Sequence, residues 1–440
     1  MEKVLVIGGS DSSGGAGVQV DIKALSSIGV HACTVITAIT AQNTKNVYSV
    51  FPVPIDTIKA QFHAVMEDLN PRIAKIGMLY DSKVAAVIAK EIYVVGLELI
   101  LDPVLKASVG SVLSDRELVS ILKEKLIPNT KLITPNIFEA EEIAGLKIAN
   151  IEGVKRACKR IKEMNCEYVL IKGGDLEGKA SVDVLYDGKE YNLLSLPRLQ
   201  KKMHGKGCAF ASLVAGFIAK GLNVPLAVKK AKEELYNRMK YCYEIGKGLE
   251  ILNQNANLEN SAEKYNVLKE VEENAKKLEK IIKIELMPET GINLVYSLPY
   301  ATNIEDVCGI EGRIVRVGNR AKVVGTAVFG ASKHVARVVL TAMEKNRNMR
   351  AGINIKYSPE VLGLCKEIGL KIGTFEREKE PKDVSTMAWG TKYAIDKLGF
   401  VPDVIYDSGG KGKEGMIRIL GKEPKNVVEI VGKIASLINS

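Results

Sequence analysis

Aromatic residues make up 5% of the 440-residue chain, with a single Trp. That is too few for a surface on which nucleic-acid bases stack. The net charge of +10, from 62 Lys+Arg against 52 Asp+Glu, is spread along the sequence and not gathered into a tail or stripe. The usual footprint of a nucleic-acid partner is therefore missing. No window approaches the roughly 18 to 20 continuous apolar residues of a membrane helix. The opening MEKVLVIGGSDSSGG has five apolar residues, Met1 and Val4–Ile7, and then glycine and serine, unlike a signal peptide. Seven cysteines, an odd number, are widely scattered with no C-x-x-C pair. This excludes a disulfide framework or a zinc knuckle and points to a reducing cytoplasm.

What remains is an ordinary globular composition, 46% apolar and 26% charged, long enough for two or three domains. The first 220 residues or so alternate short apolar or β-branched runs with amphipathic stretches: Val4–Ile7, Ala32–Ile39, Ile73–Met78, Leu99–Leu101, Leu132–Thr134 and Tyr168–Ile171. Strands buried on both faces read this way, and strand–helix alternation means an α/β fold whose ligands sit beyond the carboxyl ends of the strands. Polar groups stand at those ends: Asp11, Asp102, Asn136 and Lys172. A helical region is expected from Ala209 to Ile251 and another from Ser261 to Ile282, with the polar tract Asn253–Asn257 as linker. The domains are accordingly placed at 1–255 and 256–440, the second also α/β.

Two glycine-rich segments carry the first chemistry. Gly8 to Gly17 follows the first strand, but Gly15-Ala16 stands where a Walker loop needs Lys-Ser/Thr, and no G-x-G-x-x-G is present. His204-Gly205-Lys206-Gly207-Cys208 opens a small-residue helix. Free amides at a helix start, beside the positive end of the dipole, cradle phosphates or oxyanions. The same field is expected to lower the Cys208 thiol towards a usable base.

IGGSDSSGGAGVQVDIKALSSIGVHACTVITAITAQNT, DPVL at 102–105, TPNIFEAEEIAG at 134–145, KGGD at 172–175, LYDGKEY at 185–191 and HGKGC at 204–208 run in the order of the hydroxymethylpyrimidine/phosphomethylpyrimidine kinases. The resemblance covers about residues 3–245 and implies a ribokinase-like, mostly parallel sheet with flanking helices. It implies that Asp21 and Gln42 bond the aminopyrimidine edge while Met78, Gly9 and Ala16 pack the ring. The backbone of Gly205, Lys206 and Gly207 would hold the transferred phosphoryl group, with Cys208 as base. Asp102, Asn136 and Lys172 would serve the nucleotide phosphates, and Glu139 a Mg²⁺; ATP and Mg²⁺ are the implied co-substrate and cofactor. Lys206 replaces the family's usual threonine, and Ser108, with Lys106 nearby, replaces a usual lysine.

The second half holds a glycine turn ending in Arg313, a helix start with His334 and Arg337 three apart on one face, the pair Glu376-Arg377, and a lysine-glycine loop from Asp407 through Lys411 and Lys413. Arginines, a histidine and glycine-lysine loops converging on one site suit anionic phosphates. MPETGINLVYSLPYATNIEDVCGIEGRIVRVG, VFGASKHVARVVLTAM, TMAWGTKYA and PDVIYDSGGKGKEGMIRILG resemble the ThiN-type thiamine-phosphate synthase domain over about residues 285–438. That implies condensation of the pyrimidine diphosphate with a thiazole phosphate. Arg313 and His334 would be catalytic, Arg337, Lys411 and Lys413 phosphate contacts, and Asp407 an orienting carboxylate. The implied partners are small pyrimidine and thiazole phosphates, with no nucleic acid and no membrane; a homo-oligomer is compatible with the sequence and unspecified by it. Two other readings stand beside this one: a kinase with a thiamine-phosphate-sensing second domain, and a pyridoxal kinase, against which Gln42 and Cys208 argue.

Overall fold

The run Val4–Ile7 is apolar throughout because both of its faces are covered. In the computed structural model, strand β1 (Lys3–Asp11) turns Leu5 and Ile7 into one hydrophobic core and Val4 and Val6 into another. A side-chain period of two thus divides one sequence run between two helix layers. The structure describes residues 1–105, 117–199, 201, 203–377, 380, 385–410 and 412–438; Lys106, Ser108 and Lys411 lie outside these. The chain divides into two units, Met1–Ala256 and Asn257–Ser440.

The first unit is built on β1, β2 (His31–Gln42), β3 (Val47–Pro52), β4 (Ile73–Ile76), β5 (Glu98–Leu101), β6 (Thr130–Ile133), β7 (Tyr168–Ile171), β8 (Ala180–Tyr186) and β9 (Tyr191–Pro197). Their order is β3-β2-β1-β4-β5-β6-β7-β8-β9. Strands β2, β1, β4, β5, β6 and β7 run parallel, and β3, β8 and β9 add antiparallel edges. From β1 the chain goes to one side for β2 and to the other for β4, so the crevice of a doubly wound sheet opens at the end of β1. Helices α1 (Gly17–Ser26), α2 (Ile55–Asp68), α3 (Ser82–Val95), α4 (Leu118–Ile121), α5 (Ile137–Ala144), α6 (Ile151–Lys162), α7 (Lys206–Ala219) and α8 (Val224–Lys240) cover it. Helices α2 to α6 pack on the Leu5 face, and α1, α7 and α8 on the Val4 face. Where one helical region is expected up to Ile251 there are two helices, because Asn223 caps α8 by accepting from the Leu226 amide at 3.0 Å.

The tract Asn253–Asn257 is not the solvated linker that its polarity suggests. Asn253 and Gln254 are buried, and Gln254 Oε1 accepts from the buried guanidinium of Arg238 at 2.6 Å. Just before it, β10 (Met203–His204) pairs in parallel with β11 (Glu250–Ile251). This short ladder fixes the residues that lead into α7.

In the second unit α9 (Ala256–Ile281) starts five residues earlier than Ser261, and buries Val267, Val271, Ala275 and Leu278 as one stripe. The strands are β12 (Leu294–Ser297), β13 (Val307–Ile310), β14 (Ile314–Val317), β15 (Arg320–Val323), β16 (Ala327–Phe329), β17 (Ala351–Lys356), β18 (Ile372–Thr374), β19 (Val404–Asp407) and β20 (Met416–Gly421). Seven of them form a sheet in the order β16-β13-β12-β17-β20-β19-β18, and β14 and β15 form a separate hairpin. Only β18 and β19 pair in parallel within that sheet. Helices α10 (His334–Lys345) and α12 (Thr386–Leu398) pack on one face. Helices α9, α11 (Pro359–Glu367) and α13 (Pro424–Leu437) pack on the other. No helix among the described residues is long and apolar enough to cross a membrane.

Candidate functional site

A cavity of about 570 Å³ lies at the carboxyl ends of the parallel strands of the first unit, and Gly9, Gln42, Met78, Asp102, Lys172 and Cys208 all line it. Two loops interlock at its rim. Gly205 has φ +78°, and a Cβ there would stand 2.0 Å from the Gly15 carbonyl oxygen, so only glycine lets the start of α7 meet the loop after β1. Asp11 organises that loop. Its carboxylate accepts from the Ser13 and Ala16 amides, each at 2.8 Å, and from Ser13 Oγ, and it faces His204 Nε2 at 3.0 Å. Burial pushes the Asp11 carboxyl up, but the bonds from His204 and Ser13 outweigh it and hold it below the ordinary value.

At the end of the cavity beside Gly9, Met78 is held by Thr37 Oγ1, which donates to its carbonyl at 2.7 Å, and its sulfur packs over Gly9. Asp21 is almost wholly buried and accepts from Lys75 Nζ at 2.9 Å and from Ser212 Oγ at 2.7 Å. Three of its four or so lone-pair positions are thereby used. Burial raises the Asp21 carboxyl, with Lys75 opposing.

Cys208 is half-buried in the first turn of α7, and its thiol is pushed up to about 11. Burial does most of this; Lys75 pulls the other way, and Asp21 and Asp102 add to the rise. This runs against the expectation that the helix start lowers it: burial and two nearby carboxylates push the thiol up. Lys206, the first residue of α7, is exposed.

At the other end of the cavity Lys172 Nζ donates to Asp102 Oδ1 at 2.7 Å, and a Cβ on Gly207 would stand 3.3 Å from that Nζ. The opening amides of α7 therefore lie against this ion pair. Asn136 and Glu139 form a capping box at α5, the Asn136 amide donating to Glu139 Oε2 at 2.8 Å and the Glu139 amide to Asn136 Oδ1 at 2.9 Å. Burial raises the Glu139 carboxyl to about 7, against the pull of Lys172 and with help from Asp102. Among the described residues no cluster of three His, Cys, Asp or Glu could hold a metal by itself. Mg²⁺ in phosphoryl-transfer sites uses one or two carboxylates with water and substrate phosphates. Two buried carboxylates that share one lysine fit that mode.

Glu139 gives a prediction on stability. Its folded value of about 7 exceeds the ordinary 4.5, so the folded chain holds the proton more tightly than the unfolded one. Stability is fully present below the unfolded value, is lost as pH rises towards 7, and stays lost above it. Glu139→Gln should therefore stabilise the first unit relative to wild type at pH 8, by at most about 3 kcal/mol, and much less at pH 4.5. Urea midpoints at the two pH values check this; a difference independent of pH would remove the assignment.

In the second unit, Arg313 follows Gly312 in a turn where both adopt positive φ, +71° and +69°. Arg313 pays this strain while its guanidinium donates to the Thr290 carbonyl. His334 opens α10, and partial burial together with Arg337, Arg313, Arg418 and Arg377 holds its imidazole below the ordinary value. Arg313 and Arg337 thus both act electrostatically on His334, as do Arg377 and Arg418. Asp407 is buried beneath them, accepting from Arg377 Nε at 2.6 Å and facing Arg418 Nη1 at 2.8 Å. Lys413 is exposed on a turn closed by reciprocal backbone bonds with Gly410.

Sequence reasoning gave no individual role to Lys75, Asp11, His204, Arg377 or Arg418, although Asp11 was noted at a strand end and Arg377 within a polar cluster. Two of these carried a signal. Lys75 interrupts the otherwise apolar strand Ile73–Ile76, and Arg418 interrupts Ile417–Leu420. A charge inside a buried strand needs a partner, and each has an aspartate.

The family model described as phosphomethylpyrimidine kinase matches residues 11–253, and that described as thiamine-phosphate synthase ThiN matches residues 270–433. The bifunctional thiamine biosynthesis protein ThiDN of Methanocaldococcus jannaschii is 35% identical over 441 residues, 99% of either chain. The hydroxymethylpyrimidine/phosphomethylpyrimidine kinase of Bacillus subtilis is 38% identical over 56% of this chain and 92% of its own. Among solved structures, a phosphomethylpyrimidine kinase from Clostridium difficile aligns with TM-score 0.50 at 38% identity, over 54% of this chain and 100% of that one. The pyridoxal kinase from Staphylococcus aureus in complex with AMP-PCP and pyridoxal aligns with TM-score 0.54 at 28% identity, over 58% and 94%. With its ribokinase-like first unit and its ThiN second unit, the chain belongs to the bifunctional thiamine biosynthesis proteins, enzymes that unite a kinase with a thiamine-phosphate synthase.

Proposed function

We propose that the first unit phosphorylates 4-amino-5-hydroxymethyl-2-methylpyrimidine and then its monophosphate with ATP. The second unit then joins the diphosphate to 4-methyl-5-(2-phosphooxyethyl)thiazole, giving thiamine phosphate and pyrophosphate. The observation that carries the first half is the position of the α7 start between two unlike ends of one cavity. Gln42, Met78 and Gly9 line one end; Asp102, Lys172 and Glu139 line the other. A hydroxymethyl oxygen at Cys208 attacks the γ-phosphorus, the bond to ADP breaks, and the hydroxyl proton passes to the Cys208 thiolate, giving the thiol. The amides of Gly205 to Cys208 hold the charge on the transferred group, which is most of what phosphoryl transfer asks of a protein. Asp102 and Glu139 would hold Mg²⁺, which neutralises phosphate charge when bound; Lys172 and Asn136 orient the nucleotide end.

In the second unit, the bond from the pyrimidine methylene to the diphosphate breaks, leaving a cation delocalised into the ring and its amino group, and the thiazole nitrogen then attacks that carbon. Arg313, Arg337, Arg377 and Arg418 hold the two anions, and His334, held below its ordinary value, takes up a proton as the substrate's diphosphate binds. Lys413 extends the phosphate contacts. Omitting substrates separates the two activities in the intact chain. Pyrimidine with ATP should yield the diphosphate, and diphosphate with thiazole phosphate, without ATP, should yield thiamine phosphate. Binding of thiamine phosphate without turnover would make the second unit a sensor. Because the fold is shared with pyridoxal kinases, pyridoxal belongs in the same assay, and its preference over the pyrimidine would overturn the substrate assignment.

A further inference from the structure

His204 is almost wholly buried at the rim of the kinase cavity, and its two ring nitrogens have unequal surroundings. Nδ1 has no hydrogen-bond partner. Nε2 has two neighbours, Asp11 Oδ2 at 3.0 Å and the Gln42 carboxamide Nε2 at 2.7 Å. One nitrogen cannot donate to a carboxylate and accept from an amide at once. A proton on Nδ1 would be a buried donor with nothing to receive it, and would turn a lone pair of Nε2 towards the carboxylate. A proton on Nε2 removes both faults, since it points to Asp11 in a charge-assisted bond. Asp11 is itself immobilised by the Ser13 and Ala16 amides.

Gln42 must answer to that proton. Its backbone is clamped, the amide donating to Ser12 Oγ at 2.9 Å and the carbonyl accepting from the same hydroxyl at 2.8 Å. Only the carboxamide is free to turn, and its other end lies 3.3 Å from Thr40 Oγ1, an oxygen that can donate or accept. We propose that Asp11 and His204 form a positioning pair that sets the polarity of the Gln42 carboxamide, turning Oε1 to the imidazole and the NH₂ group to Thr40 and the cavity. Resting on the pyrimidine reading above, this makes the pair a specificity determinant. A donor aimed at the substrate suits the bare ring nitrogen next to an amino-bearing carbon. It opposes the N–H that a 4-oxo pyrimidine carries there. Buried polar groups left facing their own kind give large discrimination.

The test uses the full-length chain with 4-amino-5-hydroxymethyl-2-methylpyrimidine and its 4-oxo analogue. Nitrogen-15 spectra of histidine-labelled wild type at pH 7 should show His204 protonated at Nε2 and bare at Nδ1; the reverse tautomer overturns the proposal. His204→Phe, which lacks the donor, should lower the amino-over-oxo ratio of kcat/KM by at least about tenfold, while His204→Gln, which restores one, should stay within about threefold of wild type. An unchanged ratio in His204→Phe overturns the proposal as well. If wild type phosphorylates neither pyrimidine, the substrate reading fails and the tautomer measurement still decides the polarity of the pair. The same measurement decides if the Phe variant does not fold.

Discussion

Cys208→Ala is expected to reduce phosphorylation of the hydroxymethylpyrimidine by about 10²- to 10⁴-fold, the range that general-base catalysis supplies. The same protein should condense supplied diphosphate with thiazole phosphate at the wild-type rate. The substitution removes one sulfur from a helix whose opening amides stay in place, so KM for ATP should hardly move while kcat falls. A thiol at about 11 adds a second expectation. Its thiolate fraction at neutral pH is small, so the wild-type kinase rate should climb by about tenfold per pH unit between 7 and 9. Above its pKa the stored charge is balanced by Lys75, the first group pulling the thiol down. A flat profile, or an Ala variant that retains full activity, would take the proton from some other group. Loss of both activities would mean that the substitution damages the chain as a whole.

The strands and the glycine loops were legible in the sequence for one reason: both are local. The run Tyr168–Ile171 is strand β7 as read, and the Gly-Lys-Gly-Cys opening does start a helix. The antiparallel edges β3 and β9 were not legible, because their pattern is half-exposed and resembles loop. Long-range electrostatics escaped for a different reason. The Cys208 thiol depends on Asp21 and Asp102, residues more than a hundred positions away, and its direction of shift cannot be read from the helix that carries it. Likewise Asn253 and Gln254 read as linker because their polarity is local information, while Arg238, which binds Gln254, is not. Arg418 lay within a quoted motif but received no role; its burial against Asp407 distinguishes it from a surface arginine.

Arg313→Ala is expected to lower condensation by about 10²-fold or more and to leave the kinase unchanged, and Arg313→Lys should rescue little. A guanidinium offers a planar fork to phosphate oxygens, and lysine offers one point charge. Arg313 is exposed, so its removal should not shift the unfolding midpoint downward, and relief of its positive φ by Arg313→Gly should shift it slightly upward. Asp407→Ala makes the contrast. It lies below the same cluster, and its loss leaves the buried Arg418 guanidinium without its carboxylate. Breaking a buried pair from one side costs about 3 to 5 kcal/mol, so this variant should lose stability and condensation together. Steady-state condensation rates beside urea midpoints for the two variants separate a residue that touches substrate from one that holds its neighbours. If Asp407→Ala kept its midpoint and lost only activity, Asp407 would belong among the substrate contacts, and the arginines would be positioned by something else.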